Sequence, residues 1–391
     1  MRSSSPKPSS TIGWTGIRRG HKTRPLEWIV EKGIFLVSLS AIVMVLLIFL
    51  FIGKESLPIF LGQQDSSHST QLIKPEDVGQ HSPEELAKYL EMTPAEVKAL
   101  DAETLKLMLE VQAEAAHAAP VNKDSQVNTT EWKYLLKPHQ WSGYDKPEYI
   151  WQPIGEIHKY NIIPLVVGSL KITLVGLAFA VPLALLAAIY VSQLAPVWLK
   201  EWLKPGIELL SGIPSVVIGS FALLVLGTFL QELFGYPMRL NAMLAGVALG
   251  FSVIPLVFSI AEDALTSVPR SYTQAALALG ASRWQAAWQI VLPAALPGVF
   301  ASVVLGFGRA IGETMIVVMV TSASVMSWSV FDGARSITAT IAAEMAEAVS
   351  GGHHYQMLFM LGAILFIVTF LTNLVGELII HRLKGRLEGK A

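Results

Sequence analysis

The stretch SYTQAALALGASRWQAAWQIVLP, Ser271–Pro293, decides how this chain is read. It is rich in alanine and glutamine, carries Arg283 as its one charge, and favours a helix. Long apolar segments nevertheless flank it on both sides. A polar helix held between two membrane-crossing segments can neither bury itself in lipid nor form a core of its own. What it meets, and on which side of a membrane, depends on the rest of the chain.

The chain has 391 residues, of which 52% are hydrophobic and only 15% charged, with mean hydropathy +0.49. In soluble domains about a quarter of residues are charged. A net charge of −1 offers no basic surface for nucleic acid. The absence of cysteine excludes disulfides, thiolate zinc sites and cysteine nucleophiles. Uncharged runs alternate with short charged loops, as in an integral membrane protein.

A helix needs about 20 apolar residues to cross a bilayer. Candidate spans are Ile34–Ile52, Ile162–Val191, Ile207–Leu230, Leu240–Ala261, Ala294–Ser322 and Met357–Ile380. The first reads as an uncleaved anchor, because GKESLPIF follows it without an A-x-A-like site. Arg2, Lys7, Arg18, Arg19, Lys22, Arg24 and Lys32 precede it, and Arg382, Lys384, Arg386 and Lys390 follow the sixth span. Positive charge in short loops marks the cytoplasmic side, so both ends are placed there. By parity the loops at 192–206 and 262–293, with Lys200, Lys204, Arg270 and Arg283, are cytoplasmic too. The organisation expected is an arm at 1–33, a first span at 34–52, an extracytoplasmic insert at 53–161, a five-helix core at 162–380 and a tail at 381–391.

In the insert, Ser82, Pro83 and Glu85 have the pattern of an N-cap, a first-turn proline and a capping-box partner, and Thr93 opens a similar pattern. A third helix, Ala102–Ala118, places Leu105, Met108, Leu109 and Gln112 at helical spacing. Some forty residues make a poor independent core, about the lower limit for a chain folding alone. The insert therefore either docks on something or is a solvated spacer. Trp132, Tyr134, Trp141, Tyr144, Tyr149 and Trp151 follow, and are expected along the outer membrane surface. Asn128-Thr129-Thr130 matches a glycosylation sequon.

Within the opening stretch, Ala275, Ala276 and Ala278 with Gly280 give a smooth surface that another backbone can approach. Periodicity alone equally fits a plain amphipathic surface loop. QAALALG, Gln274–Gly280, followed ten positions after Gly280 by IVLP, Ile290–Pro293, resembles the EAA…G…I-LP signature of permease subunits of ATP-binding-cassette importers. The resemblance implies a coupling helix that enters a cleft of an ATPase subunit, with Gln274, Ala275, Ala276 and Gly280 at the contact. Gln274 stands where the signature has a glutamate.

Other segments resemble the permease subunits of bacterial phosphate importers (PstC-like). They are WQPIG and NIIPLVVGSL within Trp151–Leu170, LLSGIPSVVIG at Leu209–Gly219, GFGRAIGETMIVVMV at Gly306–Val320 and SITATIAAE at Ser336–Glu344. This resemblance implies an all-α, six-span type I importer fold in a bacterial inner membrane, forming half of a translocation pathway. It also implies a PstA-like second permease, an ATPase dimer that uses ATP and Mg, and an extracytoplasmic phosphate-binding protein, with no cofactor in this chain. The insert is longer than the family norm, and Ala343 precedes Glu344 where an asparagine is expected.

Arg309 lies fifteen residues beyond Ala294, about 22 Å into the fifth span at 1.5 Å per residue. A charge there costs about 2.5–3.5 kcal/mol, so it faces protein or water. Its i, i+4 relation to Glu313 puts both on one helical face. Either the two form a structural ion pair, or Arg309 offers a guanidinium to a passing oxyanion. In the second case Glu313 holds or releases Arg309 and Thr314 adds a hydroxyl. Gly308 and Gly312 form a GxxxG face for close helix packing. Lys171 is expected to snorkel, His353 and His354 to lie in an exposed loop, and Pro182, Pro214 and Pro255 to bend their spans. No GxxxxGK[ST] and no nucleophile–base pattern occurs, which argues against an enzyme. The rival readings are an importer of sulfate, molybdate or phosphonate, and a membrane-anchored sensor.

Overall fold

A computed structural model describes residues 25–61, 86, 100–101, 104–109, 127–155, 157–321 and 326–387. Six helices in it are long and apolar enough to cross a membrane. The chain divides at Phe51/Ile52 into two units. Helix α1, Pro25–Phe60, begins before the expected first span, and its residues from Trp28 to Leu50 are exposed. From Gly33 on, this exposed surface carries no charge, as lipid contact requires.

Much of the insert lies outside the described residues, including the patterns at Ser82 and Thr93. Residues 104–109 of the expected third helix are helical, with Leu105 and Leu109 buried and Met108 exposed. The aromatic run folds into short elements. Helix α2, Trp132–Leu136, is followed by the antiparallel strands β1, Trp151–Gln152, and β2, Lys159–Tyr160. Trp141 and Trp151 are buried. Asn161 Nδ2 donates to the carbonyls of Tyr134 and Lys137, both at 2.8 Å, which closes the segment over the start of the next span. In the expected sequon, Asn128 Oδ1 instead accepts from Thr130 N and Oγ1.

The core is built from α3, Ile163–Leu194, α6, Ala242–Thr266, and α8, Arg283–Gly312, with α5, Ser215–Phe234, and α11, His353–Leu387, packed around them. Between α3 and α5 lies a separate helix, α4, Val197–Leu209. The chain continues from α6 through α7, Arg270–Ala278, to α8, and from α8 through α9, Met315–Val320, and α10, Ile337–Glu344, to α11. Helix α6 is central and the most buried of the spans. Its contact with α3 depends on glycine. A methyl group at Gly246 would stand 2.5 Å from Val175 Cβ, and one at Gly176 would stand 3.0 Å from the Gly246 carbonyl oxygen. Such small-residue contacts replace the hydrophobic drive that lipid removes.

Two span boundaries differ from expectation. Residues 207–212 belong to α4 and a 3₁₀ turn rather than to the third span, because Pro214 caps α5 instead of bending it. The fifth span begins at Arg283, not Ala294, and runs through Pro293 without a stop. A proline inside a helix removes one N–H and crowds the carbonyl four residues back. A π turn at Ala287–Val291 widens the helix just before Pro293 and relieves that crowding.

Lys171 does not snorkel. Its Nζ donates to the carbonyls of Ser327 and Ser329 at 3.0 and 2.8 Å, pinning the loop ahead of α10. Nor do the two histidines lie in a loop, since both begin α11. His354 Nε2 stands 3.5 Å from the buried Glu344 carboxylate, which also pairs with Arg335 at 2.9 Å and accepts from Trp151 Nε1 at 3.1 Å.

Candidate functional site

Two places bring the singled-out residues together. At one end of the bundle, α7 leaves α6 at Pro269 and ends at Gly280, whose φ of 89° is the left-handed conformation that glycine adopts without strain. Ala281 N donates to Ala276 O at 3.1 Å and Gly280 N to Leu277 O at 3.0 Å, so the turn closes on the helix end. Ser282 then starts α8 with a reciprocal capping box to Gln285. The loop is thus two capped helices with a fixed elbow.

Its four singled-out residues divide between two faces. Ala276 is buried where α7 packs on the first turns of α8, whereas Gln274, Ala275 and Gly280 are exposed. Tyr272, Leu279 and Trp284, which the sequence reading passed over, are exposed as well, Leu279 at 90%. Their signal was present: large apolar residues within a polar loop mark a surface meant to be covered.

The second place lies at the far end of the fifth span. Helix α8 ends at Gly312, and Glu313 is extended with φ −68° and ψ 129°. Thr314 then starts α9. The expected continuous fifth span is therefore broken, and Arg309 and Glu313 do not share a helical face. Among the described residues no ion pair joins them. Arg309 sits in the last turn of α8, where the helix dipole favours a cation, and it is exposed. Glu313 and Thr314 are half-buried.

Backbone groups released at such a break need partners. Thr314 Oγ1 donates to Gly312 O at 3.3 Å, and Thr338 Oγ1, from α10, donates to Glu313 O at 2.9 Å. Helix α10 is itself held by Ser169 of α3, whose Oγ accepts from Ile337 N at 2.9 Å, and by its own N-cap Ser336. On the other side, a methyl group at Gly219 of α5 would stand 2.9 Å from Met319 Sδ of α9. LLSGIPSVVIG, GRAIGETMIVVMV and SITATIAAE, distant in sequence, thus meet at one break. The two glycines of the GxxxG pattern differ. Gly308 lies against Asn373 of α11, and Gly312 faces open space.

A third cluster was missed. Glu262, near the end of α6 and 1% exposed, takes Lys200 and Lys204 of α4 at 2.7 and 2.6 Å. It also accepts from Thr266 Oγ1 at 2.8 Å. The hydrogen bond to Glu262, with Asp263 also in contact, raises Lys204 above the ordinary lysine value. The lysines were read only as loop charges.

Six spans, a capped polar loop between two of them and a helix broken at the end of the fifth define a multi-pass membrane protein. The family model for the binding-protein-dependent transport system inner membrane component matches residues 180–385. A probable ABC transporter permease protein of Bacillus subtilis, YqgH, is 37% identical over 223 residues, covering 56% of this chain and 72% of that protein. The phosphate transport system permease protein PstC of Xylella fastidiosa is 34% identical over 262 residues, covering 61% and 78%. PstC of Pasteurella multocida is 33% identical over 260 residues, covering 61% and 80%. The chain belongs to the inner membrane components of binding-protein-dependent transport systems. It is a non-catalytic permease subunit of an ABC importer, working with ATPase subunits and a binding protein, and the sensor reading falls.

Proposed function

We propose that the chain is the PstC-like permease of a phosphate importer, forming half of the pathway beside a PstA-like permease and receiving phosphate from an extracytoplasmic binding protein. Relatives at 34% and 33% identity that bear the PstC name support this cargo. The observation that carries the pathway is the break after Gly312, where Arg309 stands exposed and the freed carbonyls are held by threonine hydroxyls. Arg309 offers bidentate donors to the oxyanion. Glu313 and Thr314, no longer in α8, follow the movements of α9 and α10 rather than those of Arg309.

Both termini and α7 lie in the cytoplasm, and the insert at 53–161 lies outside. Gln274, Ala275 and Gly280, together with Tyr272 and Leu279, form the surface entering the ATPase, while Ala276 seats α7 on α8.

The test is ATP hydrolysis in proteoliposomes containing this chain, the second permease and the ATPase. Phosphate-loaded binding protein is expected to stimulate hydrolysis and sulfate-loaded protein is not. Response to sulfate, molybdate or phosphonate alone would keep the importer and replace the cargo. Arg309→Ala is expected to lower phosphate uptake at least tenfold in a fully assembled complex, and Arg309→Lys to recover part of it. Normal uptake by Arg309→Ala would remove the pathway role.

A further inference from the structure

Helix α4 is built inside out for a helix in water. It has 13 residues, about 20 Å at 1.5 Å per residue, too short to cross a bilayer. Lys200 and Lys204 turn inward to Glu262, and Lys204 also reaches Asp263 at 3.0 Å. Glu208 accepts from Ser259 Oγ at 3.5 Å, and Leu203 and Ile207 pack on the core. Val197, Trp198, Trp202 and Leu209 point outward, 75, 65, 77 and 73% exposed. With Pro205 and Gly206 they form one stripe at helical spacing, interrupted by the single charge of Glu201.

We infer that this stripe docks in the plane of the bilayer, at the boundary between lipid headgroups and acyl chains. An amphipathic surface helix ordinarily shows its charges to solvent, whereas here both basic groups are used internally. Continuity identifies the cover. The helix is threaded between the membrane spans α3 and α5, and the exposed apolar surface continues through Leu210, Ile213, Val216, Val217 and Phe221 into α5. Indole rings favour this boundary, apolar on the ring and polar at the N–H. With no outward cation, attachment does not rely on anionic lipid, unlike most interfacial helices. The clamp on Glu262 ties this anchor to the last turn of α6, just before Pro269 and α7. The membrane surface thereby holds the root of the loop in place. This inference rests on the membrane location of the family and not on the cargo.

The chain has no cysteine, so single nitroxide labels can be placed without background. Val197→Cys, Trp198→Cys, Trp202→Cys and Leu209→Cys would each be labelled in the full chain, co-reconstituted with its second permease. Vesicles would be of phosphatidylcholine alone or mixed with phosphatidylglycerol, with and without the ATPase. Collisions with oxygen, which concentrates in lipid, and with a water-soluble nickel chelate would be compared, with Gln274→Cys without ATPase as the aqueous reference. The expected result is oxygen collision several-fold above nickel at all four sites, unchanged by lipid charge or ATPase. Nickel exceeding oxygen, as at Gln274→Cys, would place the stripe in water and overturn the inference. Low collision with both would place it against another subunit and overturn it equally. Val197→Cys and Leu209→Cys keep both tryptophans, so failure of a tryptophan variant to fold leaves the test intact.

Discussion

Two buried carboxylates are held in different ways. Glu262 faces two lysines and a threonine hydroxyl, so its charge is matched. Removing one side of a buried pair costs about 3–5 kcal/mol, largely because the remaining charges lose their partner. Glu262→Ala is expected near the lower end, since Lys200 and Lys204 are about one-third exposed. Thermal unfolding followed by tryptophan fluorescence in detergent checks this. At Glu344, burial raises the carboxyl above the usual carboxylate range, against the opposing pull of Arg335 and the Trp151 hydrogen bond. A raised folded value means that the folded chain holds this proton more tightly than the unfolded chain. The associated stability is complete below the ordinary glutamate value and is lost as pH climbs through the raised one. Across that window the melting temperature of the natural chain is expected to fall relative to that of Glu344→Gln, in which Trp151 keeps an acceptor. Parallel curves would sink this account. His354 and Glu347 stand near the same group, so only the difference between the two chains is read.

Elements carried their existence in the sequence more clearly than their ends. Hydropathy reveals six spans because each needs a continuous apolar run, but it is blind to backbone geometry. MIVVMV after Glu313 is as apolar as any span interior, so nothing in it announced that α8 stops at Gly312. Pro214, expected to bend its span, differs for a similar reason. It starts α5, whereas Pro293 is absorbed within α8 by a π turn, and packing makes that choice. The loop was legible through its glycine and alanines, whereas the capping box of Ser282 and Gln285, an equally local signal, was passed over. Gly280→Ala should cost about 1 kcal/mol, the low end for an L-residue in the left-handed region, and Ser282→Ala about the same through the lost cap. Each variant is expected to weaken stimulation of the ATPase by loaded binding protein while leaving assembly intact. Unchanged stimulation would show that the elbow need not be fixed. The α3–α6 contact is less forgiving. Gly246→Ala drives a methyl group onto Val175, and overpacking of this kind costs about 1–3 kcal/mol. A lower melting temperature is the expected reading, and an unchanged one would mean that the helices can separate.

At the scale of the molecule, the cap that joins Trp151 to Glu344 spans 193 residues of chain. Membrane proteins are threaded in from one end, so Trp151 emerges long before α10 and the start of α11 are made. Contacts of such separation form late, after the loop-closure entropy of the intervening chain has been overcome. The hydrogen bond from Trp151 to Glu344 therefore closes only on a chain that has been made through α10, with the fifth span already turned back. A chain released after Val320 lacks Arg335, Glu344 and His354, and its segment around Trp151 is expected to be cut by added protease where the full chain resists.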